Sequence, residues 1–180
     1  MASTYTGLGV QLMATGEKAG TWGTLTNTNW NIIEQISGGY VSIALNTTGA
    51  TTLAVSDGAA GNGNQVAHKV MNFTAALGGN VTVTIPLDVQ NVYIIKNSTT
   101  EDYSVEFKYV SGSGNSVTWA AGDRGTKIVY ATADDGTNPN IVDATSAFVT
   151  ATSTTTLTNK TLTSPKIGTS ILDTNGLQLA

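Results

Sequence analysis

The alternation of apolar and polar residues predicts a β domain over residues 40–145. The clearest strand is predicted at 103–110, where aromatic and branched apolar residues alternate with serine, glutamate and lysine. Val81–Ile85 alternates in the same way, with threonines at the outward positions. Residues 92–95 are apolar on both faces, which predicts a central strand. Further strands are predicted at 40–45, 51–55, 66–76, 116–120, 126–132 and 141–143.

Turn-forming residues separate these strands. They are Asp57-Gly58, Gly61-Asn62-Gly63, Gly78-Gly79, Ser111-Gly112-Ser113-Gly114 and Asp135-Gly136. Glycine accepts the positive φ that tight turns require, and aspartate hydrogen-bonds to nearby backbone. Short strands joined by such turns are typical of antiparallel β folds. The predicted fold is therefore mainly β: an antiparallel β-sandwich or barrel-like domain at residues 26–145, with one short N-terminal helix.

That helix is predicted at 26–37, where the pattern changes to a helical period. A side-chain oxygen of Thr26, Asn27 or Thr28 would cap its start. Gly38 and Gly39 are expected to end it with a left-handed cap. Trp30, Ile33 and Ser37 are expected to form a one-sided apolar stripe that faces the core, with Ile32 and Ile36 beside it.

Residues 1–25 are interrupted by several glycines and show neither the alternation of a strand nor the period of a helix. An extended arm is therefore predicted there. Trp22 lies in this arm between glycine-containing turns. A large aromatic side chain in such a position either folds back onto the domain or anchors in a partner's pocket, and the sequence leaves both alternatives open.

From Ser146 onward the chain is a threonine- and serine-rich tract in which apolar residues recur every five positions. These residues are Leu157, Leu162, Ile167, Leu172 and Leu177. A spacing of five matches neither a strand nor a coiled-coil seam. Composition allows a disordered tail. The alternative is that several identical chains wrap together around a shared axis, with residues 146–180 starting an extended shaft.

Charge and composition narrow the classes of partner. Charged residues make up 11% of the chain, against about 25% in ordinary soluble domains. The net charge is −4, and the eight basic residues are scattered singly, which argues against binding to nucleic acids or anionic membranes. There is no cysteine, and neither a secretory signal nor an apolar run of membrane-spanning length is recognisable.

The residue types that carry catalysis do not converge in the sequence. His68 is the sole histidine and lies in an alternating segment, so a structural role is expected. The carboxylate pairs Glu101-Asp102 and Asp134-Asp135 stand beside turn residues, where adjacent side chains point apart. Residues 134–138 resemble a calcium loop only faintly and are predicted to form a hairpin turn. We therefore expect no enzyme activity, no metal site and no cofactor.

Two segments resemble a known family. Residues 16–34, which contain Gly-Thr-Trp-Gly at positions 20–23, are similar to the N-terminal signature of tail fibre proteins from marine tailed bacteriophages. Residues 156–167 resemble the repeat that links head and shaft in many phage fibres. The resemblance implies a homotrimer, located in the virion and made in the bacterial cytoplasm, that attaches to the tail or the capsid vertex. The family's distal, host-contacting region has no counterpart here, which puts receptor binding by this chain in doubt.

On this resemblance we expect a structural virion component that anchors a trimeric tail fibre. Trp22, Leu12 and Leu8 are the expected virion-docking residues, and the five apolar residues from Leu157 to Leu177 are the expected trimer axis. Two alternatives stay open: a capsid decoration or head-fibre protein, and a carbohydrate-binding module that contacts a host surface glycan. A glycan-cleaving enzyme is the least favoured alternative.

Overall fold

A computed structural model describes residues 2–146 and Phe148 of the chain. In these residues the protein is mainly β, with one α-helix, as the sequence predicts. The helix α1 spans Trp22–Gly38, and one turn of 3-10 helix occupies Gln65–Ala67. The strands are β1 Thr4–Tyr5, β2 Gln11–Leu12, β3 Tyr40–Ala44, β4 Gly49–Thr52, β5 Val70–Thr74, β6 Val81–Ile85, β7 Asn91–Asn97, β8 Val105–Tyr109, β9 Val117–Trp119, β10 Thr126–Ala131 and β11 Ile141–Asp143.

Strands β3 to β11 form two sheets that enclose one core. The five-stranded sheet has the order β11-β10-β7-β5-β3, and the four-stranded sheet has the order β4-β6-β8-β9. From β3 to β8, successive strands belong alternately to the five-stranded and the four-stranded sheet. Each pair of consecutive strands therefore adds one strand to each sheet. The prediction of a central strand at 92–95 is confirmed, since β7 lies in the middle of the five-stranded sheet.

The predicted antiparallel pairing is wrong for the main part of both sheets. Strands β3, β5 and β7 run parallel to one another, as do β4, β6 and β8. Only β9, β10 and β11 join these sheets in the antiparallel sense. An alternating pattern specifies which side chains face the core, but it does not specify the direction of the neighbouring strand. Turns such as Gly78-Gly79 carry the chain to the opposite sheet and do not reverse it within one sheet. In the described residues neither sheet closes into a barrel.

The core lies between the inner faces of the two sheets. Phe107 of the four-stranded sheet stands with its ring centroid 6.3 Å from Phe73 and 5.9 Å from Tyr93, both on the five-stranded sheet. Trp119 approaches Phe73 edge-on at 6.2 Å. All four side chains are fully buried. Aromatic contacts of this geometry add to the burial energy, so they tie the two sheets into one unit.

Helix α1 differs from its prediction at both ends. It begins at Trp22 instead of Thr26, so the last part of the predicted arm is helical. Thr28, a predicted cap, lies inside the helix, and its hydroxyl donates to the Thr24 carbonyl. Gly39 is extended, with φ −64° and ψ 143°, so no left-handed cap forms there. The helix instead runs directly into β3.

Residues 2–21 lie on their own domain and do not project as a free arm. A small hairpin pairs Thr4 with Leu12 and Tyr5 with Gln11. The Gly58 N–H donates to the Gly9 carbonyl, which joins the hairpin to the loop after β4. The backbone also passes close to Asp88, where a Cβ added at Gly7 would lie 2.2 Å from the carbonyl oxygen.

Candidate interaction site on the N-terminal segment

Two reciprocal hydrogen bonds fasten the hairpin to helix α1. The Gln11 N–H donates to Asn29 Oδ1, and Asn29 Nδ2 donates to the Gln11 carbonyl, both at 2.9 Å. The side-chain amide of Asn29 therefore pairs with the backbone of Gln11 as a residue of a neighbouring strand would. Because Gln11 is buried, this bonding fixes the orientation of the hairpin relative to the helix.

Glu17 organises the turn that follows the hairpin. Its carboxylate accepts from the Ser3 hydroxyl at 2.6 Å and from the N–H groups of Ser3 and Ala14. The hydrogen bond from the Ser3 side chain is the main reason that the pKa of Glu17 is lowered. The Glu17 carboxylate consequently ties residues 3–17 together, and residues 18–21 connect them to the helix.

Leu8 anchors the same segment to the domain. It is half-buried and packs against the core, and Asn64 Nδ2 donates to the Leu8 carbonyl at 2.8 Å. Asn64 is itself fully buried. Leu8 is therefore placed to hold the segment in position, and the docking role predicted for it stays a prediction.

Helix α1 has an apolar stripe that faces solvent and contains two tryptophans. Trp22 is 62% exposed, Trp30 is 63% exposed and Ile33 is 42% exposed. At about 100° per residue, these three side chains fall within an arc of about 80° on the helix surface. We call Trp22, Trp30 and Ile33 the tryptophan stripe. Leu12, 52% exposed, lies on β2, which is bonded to the same helix through Asn29.

The prediction that Trp30 belongs to the core is wrong. The helix carries two adjacent apolar stripes, and the one formed by Leu25, Ile32 and Ile36 faces the domain. Periodicity alone does not tell which of two neighbouring stripes is buried. Of the three predicted docking residues, Trp22 and Leu12 are exposed, and Leu8 packs against the core. Trp30 and Ile33 lie eight and eleven residues after Trp22, a spacing that places all three on one side of a helix. The sequence pattern does not reveal this, because the predicted helix begins only after Trp22.

Gln35 joins the last turn of the helix to the domain. Its Oε1 accepts from the Gly61 N–H at 2.6 Å, and its Nε2 lies 3.1 Å from His68 Nε2. The Gln35 carbonyl accepts from the N–H groups of Gly39 and Lys69. His68 is 5% exposed, and its polar neighbours are Gln35 and Gln65. The ring is thus placed as a packing and hydrogen-bonding residue of the helix junction.

The two carboxylate pairs form turn contacts. Arg124 Nη2 donates to the Glu101 carbonyl and lies 3.8 Å from the Asp102 carboxylate. Asp135 Oδ1 accepts from the N–H groups of Thr137 and Asn138, so the predicted hairpin turn between β10 and β11 is confirmed. A hydrogen bond from the Thr132 hydroxyl, at 2.6 Å, is the main reason that the pKa of Asp134 is lowered.

In the part of the chain that the structure describes, no three histidine, cysteine, aspartate or glutamate side chains form a metal-binding group. Helix α1 is not long and apolar enough to cross a bilayer, and the same holds for every helix within residues 2–146. The five residues predicted to form a trimer axis, from Leu157 to Leu177, lie outside the described residues.

No protein-family model, no curated protein sequence and no solved structure matches this chain. A functional proposal therefore rests on the sequence motifs and on the geometry of the N-terminal segment.

Proposed function

We propose that this protein is a non-catalytic structural component of a bacteriophage virion, which anchors a trimeric tail fibre to the tail or the capsid vertex. The two motifs at residues 16–34 and 156–167 are the reason for choosing this class. The tryptophan stripe is the observation that supports an anchoring role, because it places large apolar side chains in solvent on a helix that is held firmly to its domain.

The chemistry of the stripe suits docking onto another protein. Tryptophan combines a large apolar area with few rotatable bonds, so its burial in a partner's pocket costs little side-chain entropy. Ordinary exposed helix positions are polar, and two tryptophans exposed by more than 60% are unfavourable in a free protein. Asn29 and Gln35 hold the helix in a fixed orientation, which lowers the entropic cost of binding further.

Particle assembly tests this proposal. We expect the double substitution Trp22→Ala and Trp30→Ala to abolish incorporation into virions, because each tryptophan is a candidate anchor worth at least about 2 kcal/mol in a buried interface. Incorporation is measured by quantitative mass spectrometry of purified particles. Since both side chains are exposed, circular dichroism should show an unchanged fold. The control is Asn31→Ala, an exposed position on the opposite side of the same helix.

Normal copy number in the double variant would overturn the anchoring role of the stripe. Imaging of intact particles separates the two structural alternatives, since a decoration or head-fibre protein would be distributed over the capsid. Deletion of residues 1–25 is a less informative test, because it also removes the first turn of α1 and the Gln11–Asn29 bonds.

A carbohydrate-binding role is the second candidate, favoured by the exposed rings of Tyr40 and Tyr130, at 61% and 40%. Exposed aromatic rings stack on the apolar faces of sugars. A glycan array with the purified protein tests this role. Binding that is lost in Tyr40→Ala would support it, and the absence of any bound glycan would dismiss it.

A further inference from the structure

The loop between β4 and the 3-10 turn contains the one Asn-Gly sequence of the described residues, Asn62-Gly63. The backbone nitrogen that follows an asparagine can attack the side-chain amide, and a glycine nitrogen is the least hindered because glycine has no Cβ. The predicted turn forms at this point, since the Asn64 N–H donates to the Gly61 carbonyl at 3.0 Å. Asn62 and Gly63 are the two central residues of that turn.

Both reacting groups of this pair are accessible. Asn62 and Gly63 are exposed to solvent. Among the hydrogen bonds within residues 2–146, none involves the Gly63 N–H or the Asn62 side-chain amide. The nitrogen that would attack and the amide that would be attacked are therefore both in contact with water, with no bond of the fold to break at either group.

The turn also has room to change its backbone angles. A Cβ added at Gly61 would meet nothing within 4 Å, and a Cβ added at Gly63 would meet only Ser56 Cβ, at 3.8 Å. Attack on Asn62 Cγ requires rotation about the backbone of Asn62, which opens the hydrogen bond of the turn. That bond is a single contact at the surface, and no packed side chain has to move with it.

The two Asp-Gly sequences of the described residues could react in the same way, but the structure occupies one reacting group in each. Beside Asp57, the attacking N–H is that of Gly58, and it donates to the Gly9 carbonyl at 2.8 Å. The Asp135 carboxylate accepts from two backbone N–H groups of its own turn. Asn62 is thus the residue at which both groups are left free.

We propose that Asn62 is a site of spontaneous covalent modification, in which the amide is lost through a succinimide. The Gly63 nitrogen forms a bond to Asn62 Cγ, the bond from Cγ to the amide nitrogen breaks, and the Gly63 proton passes through water to the departing ammonia. Water then opens the ring at either carbonyl carbon. Opening at one carbon gives aspartate, and opening at the other gives isoaspartate, in which the main chain runs through Cγ. The only co-reactant is water.

The modification changes a turn that holds helix α1. Both products add a negative charge, and isoaspartate also lengthens the main chain by a methylene group. The Gly61 N–H donates to Gln35 in the last turn of the helix, at 2.6 Å. At the other end of the turn, Asn64 is fully buried and donates to the Leu8 carbonyl. Because both ends of the turn are fixed, we expect the longer isoaspartate chain to loosen the contact with Gln35. None of these steps depends on the proposed virion function.

Peptide mapping of the aged full chain tests the site without any substitution. The chain is incubated at neutral pH in water labelled with heavy oxygen, then digested in ordinary water and analysed by mass spectrometry. We expect labelled aspartate and isoaspartate at position 62, and intact amides at Asn91 and Asn97 within β7. A synthetic peptide of residues 58–66 is incubated in parallel, and its reaction sets the length of the incubation. The label excludes any modification that took place beforehand.

Two glycine substitutions test the attacking nitrogen. Gly63 does not have a positive φ, and a Cβ there makes an ordinary contact with Ser56, so Gly63→Ala is expected to keep the fold. It should slow the modification of Asn62 by about tenfold or more, because the Cβ hinders the approach of the nitrogen. Gly38→Ala makes the same change where a Cβ meets nothing within 4 Å, and it should leave the rate unchanged. Near-ultraviolet circular dichroism checks the aromatic core of both variants.

Hydrogen exchange tests the consequence for the helix. The isoaspartate form is separated by ion exchange and compared with the unmodified chain. Exchange at Gly61 and in the last turn of α1 should be faster by about tenfold or more, and exchange in β7 should be unchanged. Unchanged exchange at Gly61 would overturn the effect on the helix.

The mapping and the variants decide on the site itself. Label at Asn62, slowed in Gly63→Ala alone, supports it. An unlabelled Asn62 after the peptide has reacted overturns it, because the fold then protects the turn. Equal labelling of Asn62 and the exposed Asn115 would show that the turn has no particular role, and it overturns the inference as well. An unchanged rate in Gly63→Ala would mean that water attacks the amide directly, and that Gly63 is not the nucleophile.

Discussion

At the scale of single residues, Asp143 fixes the edge of the five-stranded sheet. Its carboxylate accepts from the Thr145 hydroxyl at 2.5 Å and from Lys127 Nζ at 3.0 Å. The same ammonium lies 5.8 Å from the centre of the Trp119 ring. Asp143 therefore connects β11 to β10 and to the aromatic core.

The pKa of Asp143 predicts how this edge responds to acid. Burial raises the pKa, but the hydrogen bonds from Thr145 and Lys127 outweigh it, so the pKa lies below its usual range. A carboxyl group with a depressed pKa in the folded state stabilises the protein above its unfolded pKa of about 3.9. That stabilisation is lost as the pH falls through the folded pKa. Asp143→Asn should thus lower the free energy of unfolding by about 1–3 kcal/mol at neutral pH, and by much less at about pH 2.

Urea unfolding of both proteins across this pH range measures the difference. Asp102→Asn is the control, because Asp102 forms an ion pair with Arg124 in which its own side chain is 89% exposed. Exposed pairs of this kind contribute about 0–1 kcal/mol. A stability loss in Asp143→Asn that stays constant down to about pH 2 would mean that the charge of Asp143 is not the cause.

At the scale of elements, the junction between α1 and β3 is built on two glycines with different surroundings. A Cβ added at Gly39 would lie 2.7 Å from Gln35 Cα and 2.8 Å from the Gln35 carbonyl oxygen. A Cβ added at Gly38 meets nothing within 4 Å. Gly39 thus permits the close approach by which the helix passes directly into the edge strand, whereas Gly38 has no such role.

These two positions make a matched pair of substitutions. Gly39→Ala should destabilise the protein by about 1–3 kcal/mol, because backbone atoms of Gln35 must move. Gly38→Ala should be neutral or stabilise the protein by up to about 1 kcal/mol, because alanine favours the helical conformation that Gly38 already has. Thermal unfolding monitored by circular dichroism compares them. Equal effects of the two substitutions would show that the junction does not constrain Gly39.

The positions of the strands could be predicted from the sequence, because alternation records which side chains face the core. Val81–Ile85 and Ile141–Asp143 were predicted with the bounds that the structure shows. The prediction of one strand over 66–76 was wrong, since a 3-10 turn occupies Gln65–Ala67 before β5 begins. Strand direction and the start of the helix depend on contacts distant in sequence, such as those of Asn29 with Gln11.

The candidate interaction site was predictable only in part. The sequence indicates Trp22 and Leu12 as docking residues, and both are exposed. The sequence places Trp30 in the core, because an apolar residue at helical spacing is usually buried. Its exposure follows from the orientation of the helix, which Asn29 and Gln35 fix through polar contacts that leave no periodic pattern.

At the scale of the whole molecule, strands that alternate between two sheets make the sheets mutually dependent. From β3 to β8, consecutive strands lie in opposite sheets, so neither sheet is built from one continuous segment of the chain. The core between them is a single cluster, and Phe107 contacts two aromatic rings of the opposite sheet. We therefore expect residues 40–146 to unfold as one cooperative unit.

Substitution at Phe107 tests this dependence. Because its side chain is fully buried, Phe107→Ala should lower the free energy of unfolding by about 3–5 kcal/mol. Native-state hydrogen exchange should show protection falling by the same factor at Ile43 of the five-stranded sheet and at Val83 of the four-stranded sheet. Thr118→Ala, at an exposed position on β9, should leave protection unchanged in both sheets. Loss of protection at Val83 without loss at Ile43 would mean that the sheets open separately, and that the aromatic contacts between them do not couple their stability.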